Sequence, residues 1–156
     1  MIDTKKVTDR RRLSFTSLDD IQADVEALDG AAVRTTGNWT AAQIVQHVTD
    51  VITLSVDGFG FKMAWPLRVL GRLFRSRALT KPMRPGFRVP AAMRARLPSD
   101  QLAFEQAVAS LRQAIGRTSS DRMTKASPFL GAMTHQDWVN LHCRHAEMHF
   151  SFMHAV

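Results

Sequence analysis

A chain of 156 residues, 45% apolar and 22% charged, can bury one sizeable core and calls for no second domain, so a single domain over 1–156 is expected. One cysteine, Cys143, excludes an internal disulfide. No apolar run nears the length of a membrane span, and the N-terminus lacks the apolar stretch of a secretory signal, so a cytoplasmic protein is expected. The net charge of +7, from 21 basic and 14 acidic residues, is unevenly placed.

Arg11-Arg12-Leu13 has a faint twin-arginine look, but Asp19, Asp20 and Asp24 follow where a hydrophobic segment would be required. Ser17 with Asp20 reads as a helix start, and Leu18, Ile21, Val25 and Leu28 keep helical spacing up to Gly30. A second helix is expected from about Asn38 to Asp57, stopped at Gly58. Asn38-Trp39-Thr40 matches a glycosylation acceptor by chance and is set aside.

The middle carries most of the punctuation, from Pro66 to Pro98, and no acidic residue between Gly58 and Ser99. Its cations are Lys62, Arg68, Arg72, Arg75, Arg77, Lys81, Arg84, Arg88, Arg94 and Arg96. Such a one-sign stretch attracts anions, or is simply a solvated surface. Trp65 to Leu79 reads as a short basic amphipathic helix, and Lys81 to Arg88 as an ordered loop.

A third helix is expected from Ser99 to Ile115, stopped at Gly116. Thr134 and Asp137 resemble a capping pair for a last helix reaching about His154. No strand alternation stands out. Four long helical segments predict an all-α chain, an antiparallel four-helix bundle with an elaborated crossover between helices 2 and 3.

The chemistry concentrates on the last helix. At about 100° per residue, His149 falls about 40° from His145, and His142 about 60° from it on the same side. Trp138, Leu141, Met148 and Phe152 share that arc, whereas Asn140, Arg144, Glu147 and Ser151 are expected to face water. An unsatisfied buried polar group costs on the order of 1–3 kcal/mol, so three secluded imidazoles need partners. A divalent ion taking imidazole lone pairs at about 2.0–2.1 Å would supply one. His47, on the second helix beside Ile44, Val51 and Leu54, could add a ligand, and Asp50, one turn on, could orient an imidazole or accept a proton.

The plainer reading is a set of satisfied core histidines, because an HxxxH spacing alone arises often by chance. A zinc-protease motif is rejected: Glu147 stands two residues after His145 and projects about 160° away. Cys143 also points about 160° from His145, which argues against a Cys-His nucleophile. No nucleophile elbow, phosphate loop or dinucleotide fingerprint occurs. Trp39, Trp65 and Trp138 are read as core or edge packing.

Gln46-His47-Val48 late on the second helix, with His145 and His149 one turn apart on the last, resembles the DinB-like (YfiT-like) metalloprotein superfamily, most closely a subgroup of unknown function. Gly37-Asn38-Trp39-Thr40, Asp57-Gly58-Phe59, Lys81 through Phe87, Pro128-Phe129-Leu130-Gly131 and Trp138 through His149 carry the likeness in chain order. The resemblance implies an up-down-down-up four-helix bundle, often dimeric, holding zinc, nickel or another divalent ion through three histidines. Those ligands would be His47, His145 and His149, with His142 behind them as a pocket residue or proton shuttle. Phe150-Ser151-Phe152-Met153 replaces the short polar run that many members carry after the last ligand, which puts any shared substrate contact there in doubt.

Better understood members transfer small groups with low-molecular-weight thiols. The expected function is therefore a metal-dependent enzyme, thiol-dependent transferase or hydrolase-like, acting on a small and anionic or thiol substrate. The alternative is a non-enzymatic interaction protein whose basic segment, about 65–96, binds an anionic membrane or nucleic acid.

Overall fold

The computed structural model describes residues 2–86, 99 and 101–156. Its elements follow in chain order from local chemistry. A 3-10 turn, Thr4–Lys6, precedes an extended strap that runs to Ser17. Helix α1, Leu18–Glu26, opens on the Ser17/Asp20 capping box and buries Leu18, Ile21 and Val25. Strand β1, Val33–Thr35, leads into α2, Ala41–Asp57, which is capped by Thr40 and Gln43 and ended by Gly58 at φ 100°. Helices α3, Trp65–Leu73, and α4, Arg75–Thr80, follow. Helix α5 spans Phe104–Ser120, α6 spans His135–Phe150 on the expected Thr134/Asp137 box, and strand β2, Met153–Ala155, ends the series.

The described chain is thus mostly helical. Helix α2 packs along α5 and α6, α1 packs on both of those, and α4 lies against α6. One core joins Ile21, Val45, Val48, Ile52, Leu111, Met123, Trp138, Phe150 and Met153, all fully buried. Arg75 ties α4 down by donating to the Ala132 carbonyl and pairing with Asp137 at 2.7 Å.

The structure corrects six sequence expectations. There is a small antiparallel sheet after all, with Val33 opposite Ala155 and Thr35 opposite Met153. Three-residue strands are too short to show alternation. The last helix stops at Phe150 rather than near His154, because Ser151 and Phe152 bond to the strap and to Thr36 and Met153–Ala155 pairs with β1. The third helix starts at Phe104 and runs through Gly116 to Ser120, because burial of Ile115 and Thr118 outweighs the ~1 kcal/mol propensity cost of one glycine.

The 65–79 segment is two helices, broken at Phe74. Trp65 is exposed, not core or edge packing. Glu147 and Ser151 do not face water: the strap lies over them, where the Phe15 amide donates to Glu147 Oε1 at 2.6 Å and Arg10 Nε to Ser151 Oγ at 2.9 Å. Arg144 pairs with Glu147 beneath it. A long-range strap of this kind has no counterpart in helical periodicity. Of the expected 81–88 loop and 65–96 basic segment, residues beyond Gly86 lie outside the described set.

Candidate metal centre

His145 and His149 stand one turn apart on α6 and His47 faces them from α2. Their ring centroids lie 5.0 Å (His47–His145), 4.7 Å (His47–His149) and 4.6 Å (His145–His149) apart. One ligand nitrogen from each falls within 4.8 Å of the other two. His47 Nε2 and His145 Nε2 are 3.2 Å apart. Two nitrogens each about 2.0–2.1 Å from one tetrahedral ion are about 3.3–3.4 Å apart, so the pair already has the spacing of a shared cation.

All three rings are half-buried, with their open side toward a cavity of about 750 Å³. Burial pushes the His47 imidazole down to about 4, and holds His145 and His149 well below the usual histidine range, with neighbouring imidazoles adding to the effect. At neutral pH these rings are uncharged, the form that ligates a metal. His145 Nδ1 is buried without a hydrogen-bond partner. No neighbour fixes the tautomer from that side, so Nε2 is free to present its lone pair to a cation shared with His47. The donor set fits a divalent ion.

The sheet positions the third wall. β1 runs into the turn before α2, and β2 follows α6, so their pairing brings the start of α2 to the end of α6. Thr36 N donates to the Phe152 carbonyl and Thr35 Oγ1 to that of Trp39. Trp39 thereby stacks on His149, 5.6 Å between centroids at 3°, and meets His47 edge-on at 5.1 Å. Sequence reading took Trp39 for packing and missed this role. The available hint was its place in Gly37-Asn38-Trp39-Thr40, just ahead of the histidine-bearing helix.

His142 is separate from the cluster. It is fully buried, stacked on Trp138 at 5.3 Å, with Nε2 3.2 Å from Ser55 Oγ and Nδ1 unpartnered. Burial pushes it down to about 3. Asp50 accepts from Gln46 Nε2 at 2.7 Å. Neither His142 nor Asp50 lines the cavity. Cys143 is buried on another side, its thiol beside the Ser17 carbonyl and pushed up to about 11 by burial, so it is no nucleophile here.

Most of the remaining cavity wall is apolar, Phe59, Phe74, Phe129 and Trp138 among its residues. Its charged lining groups are Arg77, Lys81 and Arg84, and no acidic residue lines it among those described. No helix among the described residues is long and apolar enough to cross a membrane.

These features define a mostly helical protein with a three-histidine cluster, drawn from two helices, that could hold a metal ion at a cavity wall. The chain belongs to the family described as a protein of unknown function, DUF1569, whose model matches residues 7–155. No curated protein and no solved structure matches it.

Proposed function

We propose that this chain is a DinB-like, divalent-metal-dependent enzyme, with His47, His145 and His149 as ligands and a small anionic substrate. In this reading α1, α2, α5 and α6 form an up-down-down-up four-helix bundle, and their mutual packing supports it. The observation that carries the proposal is the convergence of three neutral imidazoles, two of them 3.2 Å apart at Nε2, on the wall of a large cavity. Imidazole donors suit zinc and nickel. Three protein ligands leave a coordination position open, as catalytic sites do.

A divalent ion there would supply Lewis acidity to a substrate oxygen or sulfur. The chain's own residues do the rest. Trp39 fixes the plane of His149 and shields one side of the cluster from water. Arg77, Lys81 and Arg84 give the cavity a positive wall with no lining carboxylate among the described residues to offset it, which favours a substrate carrying negative charge. Phe59, Phe74 and Phe129 receive its apolar part. The reaction classes this arrangement suits are thiol-dependent group transfer and hydrolysis.

The test is the metal content of protein purified without an affinity tag. Near-stoichiometric zinc or nickel, lost in His145→Ala while the helical circular dichroism persists, is the expected result. A wild-type protein that is metal-free and takes up neither ion overturns the proposal.

A further inference from the structure

Helix α3 is mounted with its apolar arc outward. At 100° per residue, Trp65, Leu67, Val69, Leu70, Leu73 and Phe74 share an arc of roughly 200°, and Arg68, Gly71 and Arg72 fill the rest. A helix on a water-soluble core would bury the apolar arc. Here the opposite holds: Gly71 sits so close to the Phe129 carbonyl that a Cβ would lie 2.2 Å from its oxygen, and Arg72 lies against Gly131. Trp65 and Leu73 are 73% and 75% exposed, and Leu67, Val69, Leu70 and Phe74 about half exposed. No residue of α3 is buried.

We propose that this outward apolar face docks on an anionic membrane surface, lying in the headgroup layer. Its charge is the deciding feature. Arg68 and Arg72 flank the apolar arc on the same helix, Lys62 precedes it and Arg77 and Lys81 follow it in the chain, and the sequence holds no acidic residue from Gly58 to Ser99. Among the described residues, Lys62, Arg77 and Lys81 make no ion pair.

A second copy placed symmetrically on the same face would meet these cations with its own, at a like-charge cost. A nucleic acid would use the cations but has no apolar surface for Val69, Leu70 and Leu73. An anionic bilayer answers both, since acyl chains take the apolar arc and phosphate groups take the flanking cations. Trp65, at the first turn, has the ring that settles at such interfaces. Phe74, Arg77, Ala78 and Lys81 continue from this face into the cavity wall, so docking sets the cavity mouth at the lipid surface. The inference is independent of the histidine cluster.

The experiment is sedimentation of the full chain with phosphatidylglycerol-containing vesicles and with pure phosphatidylcholine vesicles. Binding is expected to the first and not the second, and to weaken as salt rises. Leu73→Ser and Trp65→Ser, which add no charge at exposed positions, each lower partitioning about tenfold and leave metal content and circular dichroism unchanged. Four results overturn the proposal. One is no binding to the anionic vesicles; another is equal binding to the neutral ones. A third is binding indifferent to both substitutions. The last is a lack of vesicle binding alongside a solution dimer, or an oligonucleotide complex, that the substitutions abolish.

Discussion

Trp39 and His142 are both aromatic neighbours of a ring system, yet they do different work. Trp39 covers the outer face of His149, and an aromatic pair contributes about 0.5–1.5 kcal/mol beyond its buried area. Trp39→Ala should therefore weaken metal affinity by roughly threefold to tenfold in a chelator competition, while the stoichiometry at saturation stays the same. His142→Phe keeps the stack on Trp138 and removes a nitrogen with no partner. Ser55 retains its bond to the Ile52 carbonyl. Its melting temperature should stay level or rise, with metal content untouched, because deleting an orphaned polar group offsets the lost hydrogen bond. Metal loss in that variant would place His142 in the site.

At the scale of an element, two glycines in helices should respond in opposite directions to alanine. Gly116 in α5 has nothing within 4 Å of a Cβ, so Gly116→Ala should raise stability by about 0.5–1 kcal/mol through helix propensity. Gly71 in α3 faces the Phe129 carbonyl, and a Cβ 2.2 Å from backbone oxygen forces the helix and the 127–131 turn apart. Gly71→Ala should lower stability by about 1–3 kcal/mol despite the same propensity gain. Chemical denaturation of both variants separates the two. The capping boxes at Ser17 and Thr134 were legible in sequence because they are local chemistry, whereas the second helix, expected from about Asn38, starts at Ala41 on a Thr40/Gln43 box that the sequence reading missed. The end of α6 was not legible either, since Ser151 and Phe152 bond to the strap and to Thr36 rather than to anything nearby in the chain.

For the whole molecule, secluding neutral histidines makes acid the vulnerable direction. Folding lowers His47 from 6.5 to about 4 and His142 to about 3, with His145 and His149 well below their ordinary value. The unfolded chain thus binds more protons than the metal-free folded one below about pH 6.5. The stability these groups confer is fully present above that value and is lost as pH falls toward the folded ones, by at most about 1.4 kcal/mol per pH unit per group. Melting temperature of the metal-free protein should be nearly level above about pH 7 and fall steeply below about pH 6. A profile level down to about pH 4.5 would mean the rings are solvated rather than buried.

The sequence by itself determined the helical class, the caps at Ser17 and Thr134, the stop at Gly58 and the alignment of His142, His145 and His149 on one stripe of α6, because each depends on residues within one or two turns. Only the tertiary structure could decide that His47 reaches that stripe, that His142 stays behind it, and that Trp39 covers it. It also placed Glu147 under the strap and turned the apolar face of α3 outward. Those outcomes depend on which surfaces pack together, with partners about a hundred residues away along the chain, and periodicity carries no information about that choice.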